Sequence, residues 1–181
     1  MTEQQSLTQA LALEGLTATG PSLELAGKMD LFGQFVGSWE ATGASYNEDG
    51  SFQQSMQGEI HFGWILEGRA VQDVWIFPTL AERREKGLPV DEYGSTIRFY
   101  DSNMDAWRVI WISPVNRNVR VFTARPVGDE IVIEGLNTQG QAVRWIFSNI
   151  TQQSFHWRHV LWIEGEQKWH LVEEIEVHRL K

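Results

Sequence analysis

The chain contains no cysteine. That absence excludes a disulfide framework, a thiolate metal site and a cysteine nucleophile, and it suits a reducing compartment. Positive charge is also scarce: 15 Lys and Arg stand against 24 Asp and Glu, a formal net charge of -9. Such a surface repels phosphate backbones and anionic membranes unless a local basic patch outweighs it. The densest basic stretch, Glu82-Arg83-Arg84-Glu85-Lys86, is diluted by acids and reads as a solvated loop or helical turn. Neither nucleic acid nor a membrane is therefore an expected partner. Long apolar runs are missing too, none reaching the ~18 residues of a membrane span. Met1-Thr2-Glu3-Gln4-Gln5 lacks the basic flank and apolar core of a secretory signal, so a cytoplasmic location is expected. There is no G-x-S-x-G, no phosphate-binding glycine loop and no dinucleotide fingerprint, which leaves hydrolase and kinase readings without support.

What is present suffices for one domain, since 181 residues at 42% hydrophobic composition can bury a real core. Residues 1–20 are polar with scattered leucines (Leu7, Leu11, Leu13, Leu16) in a weak helical pattern that ends near Gly15 and Gly20, and read as a partly mobile arm. Residues 21–181 form the expected domain. After Pro21, Ser22 can cap a helix running to Val36, whose apolar stripe is Leu25, Met29, Leu31, Phe32, Phe35 and Val36. Gly33 and Gly37 stop it and release the chain into a strand.

From Trp39 onward the hydrophobic period changes to two. Strands are predicted over Ser38–Tyr46, Phe52–Phe62, Arg69–Phe77, Gly94–Tyr100, Trp107–Ser113, Val119–Arg125, Glu130–Glu134, Ala142–Asn149, Phe155–Glu164 and Lys168–Arg179. Turn chemistry separates them, as in Glu48-Asp49-Gly50 and Val127-Gly128-Asp129. About ten strands on short connections make antiparallel neighbours, and such a sheet curls shut into an up-and-down β-barrel or splits into a sandwich. The long connection Pro78–Tyr93 is expected to lie over a barrel mouth as a mobile flap.

A short helix, then Gly37-Ser38-Trp39 on the first strand, a hairpin series and Arg179 near the end of the last strand together resemble the calycins, the superfamily of lipocalins and fatty-acid-binding proteins. The resemblance implies an all-β barrel of about ten strands, with a short N-terminal helix closing one end, Trp39 plugging the floor and Arg179 packing across it. A guanidinium on an indole face is worth ~1 kcal/mol. More closely, Trp64-Ile65-Leu66-Glu67-Gly68-Arg69 and Thr96-Ile97-Arg98-Phe99-Tyr100-Asp101 resemble an uncharacterised bacterial family of lipocalin-like domains, which implies no activity. The chain departs from fatty-acid-binding proteins in ending Arg179-Leu180-Lys181 instead of Arg-x-Tyr, and from secreted lipocalins in lacking Thr-Asp-Tyr.

Nine tryptophans either fill a wide barrel or line a cavity for a small hydrophobic or aromatic molecule. Alternation puts His159 on the face of Phe155, Trp157, Leu161 and Ile163, and Glu173 on the face of Trp169, Leu171, Ile175, Val177 and Arg179. The expected ligand-binding set is Trp75, Trp111, Trp157, His159 and Glu173. Glu173 and His159 form either a structural hydrogen bond or an acid/base pair for a cofactor-free isomerase, cyclase or lyase. Arg98 could bind an anion if its face is internal, and Asp73 is another candidate interior charge.

No metal site is expected. His156 and His159 point to opposite faces of a strand, and Glu59 with His61 supplies only two ligands. No cofactor is expected either, although a faint similarity of His170-Leu171 to nitrobindins, which are haem barrels, keeps haem as an alternative. In that case His159 is the better-oriented ligand, because alternation puts His170 outside. A homodimer through the arm and exposed tryptophans such as Trp162 is a further possible partnership.

Overall fold

A computed structural model describes residues 3–181. Ten strands build the barrel: β2 (Gly37–Tyr46), β3 (Phe52–Ile65), β4 (Ala70–Phe77), β5 (Glu92–Asp101), β6 (Ala106–Ser113), β7 (Asn118–Val127), β8 (Glu130–Leu136), β9 (Ala142–Ser148), β10 (Ser154–Ile163) and β11 (Lys168–Arg179). Each pairs antiparallel with the next, and β11 returns to pair with β2 from Glu173↔Ser45 to Arg179↔Trp39. The result is a closed up-and-down barrel, in which hairpin connectivity is carried to completion and the ring is left without a free edge.

The segment before the barrel differs in part from expectation. The arm begins with Met1 and Thr2, which lie outside the described residues; its weak helical pattern forms a helix, α1 (Glu3–Leu16), and Thr17–Ala18 add an unexpected short strand, β1. β1 pairs with Ile65 and Trp64 of β3, and Leu66 N–H donates to Leu16 O at 2.9 Å. The helix expected from Ser22 to Val36 is not continuous. It is a single 3-10 turn at Leu23–Leu25 and a four-residue helix, α2 (Asp30–Gly33), separated by Gly27 at φ +81. The Ser22 side chain caps nothing. Ser22 N–H instead donates to Gly68 O at 3.0 Å. Gly68 is required there, because its φ is +73 and a Cβ would collide with the Gly20–Ser22 backbone.

The apolar stripe nevertheless does what its residues dictate. Met29, Phe32 and Phe35 are fully buried in the barrel floor. Phe35 meets Phe155, Phe147 and Phe62 at ring distances of 4.9, 5.1 and 5.6 Å, and Phe32 meets Trp107 edge-on at 5.0 Å. Burying each such ring contributes about 2–3 kcal/mol. Trp39 donates its indole N–H to Phe35 O at 2.7 Å, and the Arg179 guanidinium lies 4.0 Å over the Trp39 ring. Arg179 also donates to the carbonyls of Gln152, Val36 and Gln34. One side chain thus ties the last strand to the entry segment and to the loop before β10.

The Pro78–Tyr93 connection contains a helix, α3 (Leu80–Lys86), started by Thr79, whose hydroxyl accepts from Glu82 N–H at 3.2 Å, and ended by Gly87 at φ +65. Glu59 of the outer wall accepts from Leu80 N–H at 2.9 Å, which anchors it.

Candidate functional site

Arg98 is internal, but its charge is committed. It pairs with Asp73 at 2.6 Å, with side-chain exposures of 1% and 0%, and three rings, Phe32, Phe62 and Phe147, surround its guanidinium at 5.0–5.9 Å. Asp73 also accepts from Thr96 N–H at 2.8 Å. The expected anion-binding role of Arg98 therefore gives way to an ion pair that divides the floor from the space above it. The isolated desolvation of either charge would be expensive, so each depends on the other.

Above that pair lies a cavity of about 330 Å³, at the end of the barrel where the β2–β3 and β6–β7 turns and the return from α3 meet. Trp75, Trp111, Trp145 and Trp157 form its aromatic wall. Trp75 meets Trp157 at 5.0 Å, Trp157 meets Trp145 at 6.0 Å, and Trp145 meets Trp111 edge-on at 5.8 Å. All five expected ligand-binding residues, Trp75, Trp111, Trp157, His159 and Glu173, line this one space. His159 stands directly opposite Glu173 in the β10–β11 register, with Nδ1 3.4 Å from a Glu173 carboxylate oxygen.

Sequence reasoning missed Trp145, Asn118 and Arg120 on this wall. On β7 the inward residues Asn118 and Arg120 alternate with outward Val119 and Val121, which are 65% and 61% exposed. The period was legible, but its apolar phase points to solvent, so hydropathy favoured the wrong face. Burial pulls the Arg120 guanidinium below its ordinary pKa, while the carboxylates of Glu173 and Glu92 oppose the fall. Glu92 is itself satisfied, accepting from Ser113 Oγ at 2.7 Å and Asn116 Nδ2 at 3.0 Å.

Strict alternation also fails between β10 and β11. A bulge between His159 and Val160 leaves Val172 without a register partner and pairs Leu161 with His170. Val172 then lines the cavity, and His170 shares the face of Leu161 instead of lying outside. His170 places one ring nitrogen 3.0 Å from Glu48 O and the other 3.0 Å from Glu166. Trp162 packs on Trp169 at 5.4 Å and donates to Glu164 at 2.8 Å.

Several polar atoms on the cavity wall are buried without a hydrogen-bond partner: the indole nitrogens of Trp75 and Trp145, Arg120 Nε, His159 Nε2 and Asn118 Oδ1. Each such group costs about 1–3 kcal/mol when desolvated and unpaired. Their concentration on one wall is the chemical signature of the site. His61 lies on the outer wall, 2.9 Å from Ser38 Oγ and 3.5 Å from Glu59. Among the described residues no group of three or more His, Asp and Glu is placed to hold a metal, and no helix is long and apolar enough to cross a membrane.

No protein-family model and no curated protein matches the chain. Among solved structures, the S-type phycobiliprotein lyase CPES from Guillardia theta is similar, with a TM-score of 0.56 at 13% identity over 84% of this chain and 92% of that one. The likeness is one of fold. At this identity the likeness carries the architecture and no residue's role. The functional content of this closed up-and-down barrel rests on its own cavity wall.

Proposed function

We propose that this calycin-like protein binds a small, flat, largely apolar molecule bearing hydrogen-bond acceptors inside its barrel. The observation that carries the reading is the set of buried, unpartnered N–H donors on Trp75, Trp145 and Arg120 within an otherwise aromatic wall. Apolar lining with a few convergent polar groups is the usual design of a ligand site, and 330 Å³ sits at the small end of the ~300–1,000 Å³ range of such pockets. A ligand with carbonyl or similar oxygens would bury its rings against the indoles and satisfy the donors. The likeness to a phycobiliprotein lyase supports this at the level of the barrel alone.

Native mass spectrometry of the protein purified from its own host tests the reading, with an absorption spectrum of the same sample. An added mass that extracts as an unsaturated, oxygen-bearing small molecule is the expected result. An unligated mass, together with no quenching of tryptophan fluorescence by bicyclic aromatic ketones, overturns it. A Soret band would replace it with haem binding.

A further inference from the structure

We propose that His159 and Glu173 act as a proton-transfer dyad on a carbonyl compound with an acidic C–H beside the carbonyl. The inference rests on the ligand-binding reading above and adds a reaction to it. Glu173 lies 3.4 Å from His159 Nδ1, an orientation that favours the Nδ1–H tautomer and leaves the lone pair on Nε2. Nε2 is buried without a partner on the cavity wall. Two rings hold the imidazole, Trp145 edge-on at 6.2 Å and Trp157 at 6.3 Å. A purely structural histidine in so confined a place would spend both nitrogens on the protein. This one sets Nδ1 within 3.4 Å of a carboxylate and leaves Nε2 free.

The donors that suit a bound carbonyl suit an enolate better. In the step proposed, the Nε2 lone pair takes the proton as the C–H bond breaks, and the C–H electron pair becomes the new C=C bond. The C=O π pair moves to oxygen, where N–H groups of Trp75, Trp145 or Arg120 meet the developing charge. Glu173 balances the imidazolium and acts as the positioning residue. Returning the proton to the same carbon gives exchange, and returning it to a conjugated carbon gives an isomer, with no oxidant or reductant in either case. The charged groups sharing the cavity with His159 are Glu173 on β11, Arg120 on β7, Asp91 and Glu92 at the start of β5, and Arg98, which is paired with Asp73 of β4.

The test uses 2-tetralone in deuterated buffer, with binding followed by tryptophan fluorescence and exchange of the C1 protons by NMR. The expected result is exchange faster than with an equal concentration of free imidazole. His159→Gln should lose roughly a hundredfold in exchange rate while still binding the ketone. Glu173→Gln should lower the maximal rate and displace the pH profile with little change in the half-saturating concentration. Binding without exchange above the imidazole control overturns the dyad and leaves the carrier reading standing, as does a folded His159→Gln variant that exchanges at the wild-type rate. No binding at all overturns both. Should His159→Gln fail to fold by near-UV circular dichroism, Glu173→Gln decides, because its side chain is 36% exposed and tolerates replacement. An unchanged rate and pH profile in that variant overturns the proposal.

Discussion

At the floor of the barrel Trp39 donates its indole N–H to a backbone carbonyl at 2.7 Å, whereas at the mouth the indole N–H groups of Trp75 and Trp145 are also buried and meet no acceptor. The arginines divide in the same way. Arg98 is neutralised by Asp73 at 2.6 Å within a cage of phenyl rings, while Arg120 is half enclosed beside Trp145 with no ion pair among the described residues; Nε is unpartnered in both. The same residue types therefore serve two ends. Around the floor Trp39 finds an acceptor and the buried charges of Asp73 and Arg98 find each other, although Arg98 Nε is left without a partner, and the rings are packed to contact. Around the mouth the donors are desolvated but unanswered, a condition that native proteins rarely tolerate without a use.

The contrast is most severely tested at the buried ion pair. Asp73→Ala should cost about 3–5 kcal/mol by urea denaturation, since Arg98 keeps a buried charge with nothing to balance it. Replacing both partners with apolar residues of similar volume should recover much of that loss. Equal costs for the single and double variants would mean that the pair is packing and not electrostatics. Next in size is Phe35→Ala, which empties the centre of the floor cluster and should lower the unfolding free energy by about 3–4 kcal/mol. Ketone binding by the variant that remains folded should be unaffected if the two halves are independent.

Arg179→Ala should be milder, about 1–2 kcal/mol in a thermal melt, because it removes a stacking contact and hydrogen bonds that water can partly replace. At the mouth the order of effects reverses. Trp145→Phe keeps an aromatic ring and deletes an unpaired donor, so stability should change by less than ~1 kcal/mol while affinity for an oxygen-bearing aromatic falls up to about tenfold. A large stability loss with unchanged affinity would assign Trp145 to the floor's kind of role.

The smallest effect lies outside both halves, at Glu166. Hydrogen bonds from Lys168 and His170 hold its carboxyl below the ordinary value of 4.5. A depressed folded-state pKa contributes stability above the unfolded value and loses it as pH falls through the folded one. The stability difference between wild type and Glu166→Gln should therefore be steady above pH 4.5 and close in more acid buffer, as followed by urea midpoints across pH.

The strands were legible because alternation and turn residues are local, and all ten appear with shifts of a few residues at their ends. Five residues of the cavity wall were legible for the same reason, since Trp75, Trp111, Trp157, His159 and Glu173 keep phase with their buried neighbours. Arg120 was not, because Val119 and Val121 place the apolar phase of β7 on the outside. His170 was misplaced because the bulge beside His159 inserts one residue, and a one-residue slip exchanges the two faces of a strand. The helix from Ser22 was read as continuous because its apolar spacing is helical. Gly27 at φ +81 breaks it while the side chains still reach the floor.

The amino-acid sequence by itself determined the all-β hairpin succession and the inward phase of most strands, because these follow from a residue's nearest neighbours along the chain. Only the tertiary structure decided that Asp73 answers Arg98 and that Arg120 of β7 shares a space with Glu173 of β11. It alone left the donors around that space unanswered. Closing a ten-stranded ring brings together strands remote in sequence, and whether a buried polar group finds a partner depends on that closure.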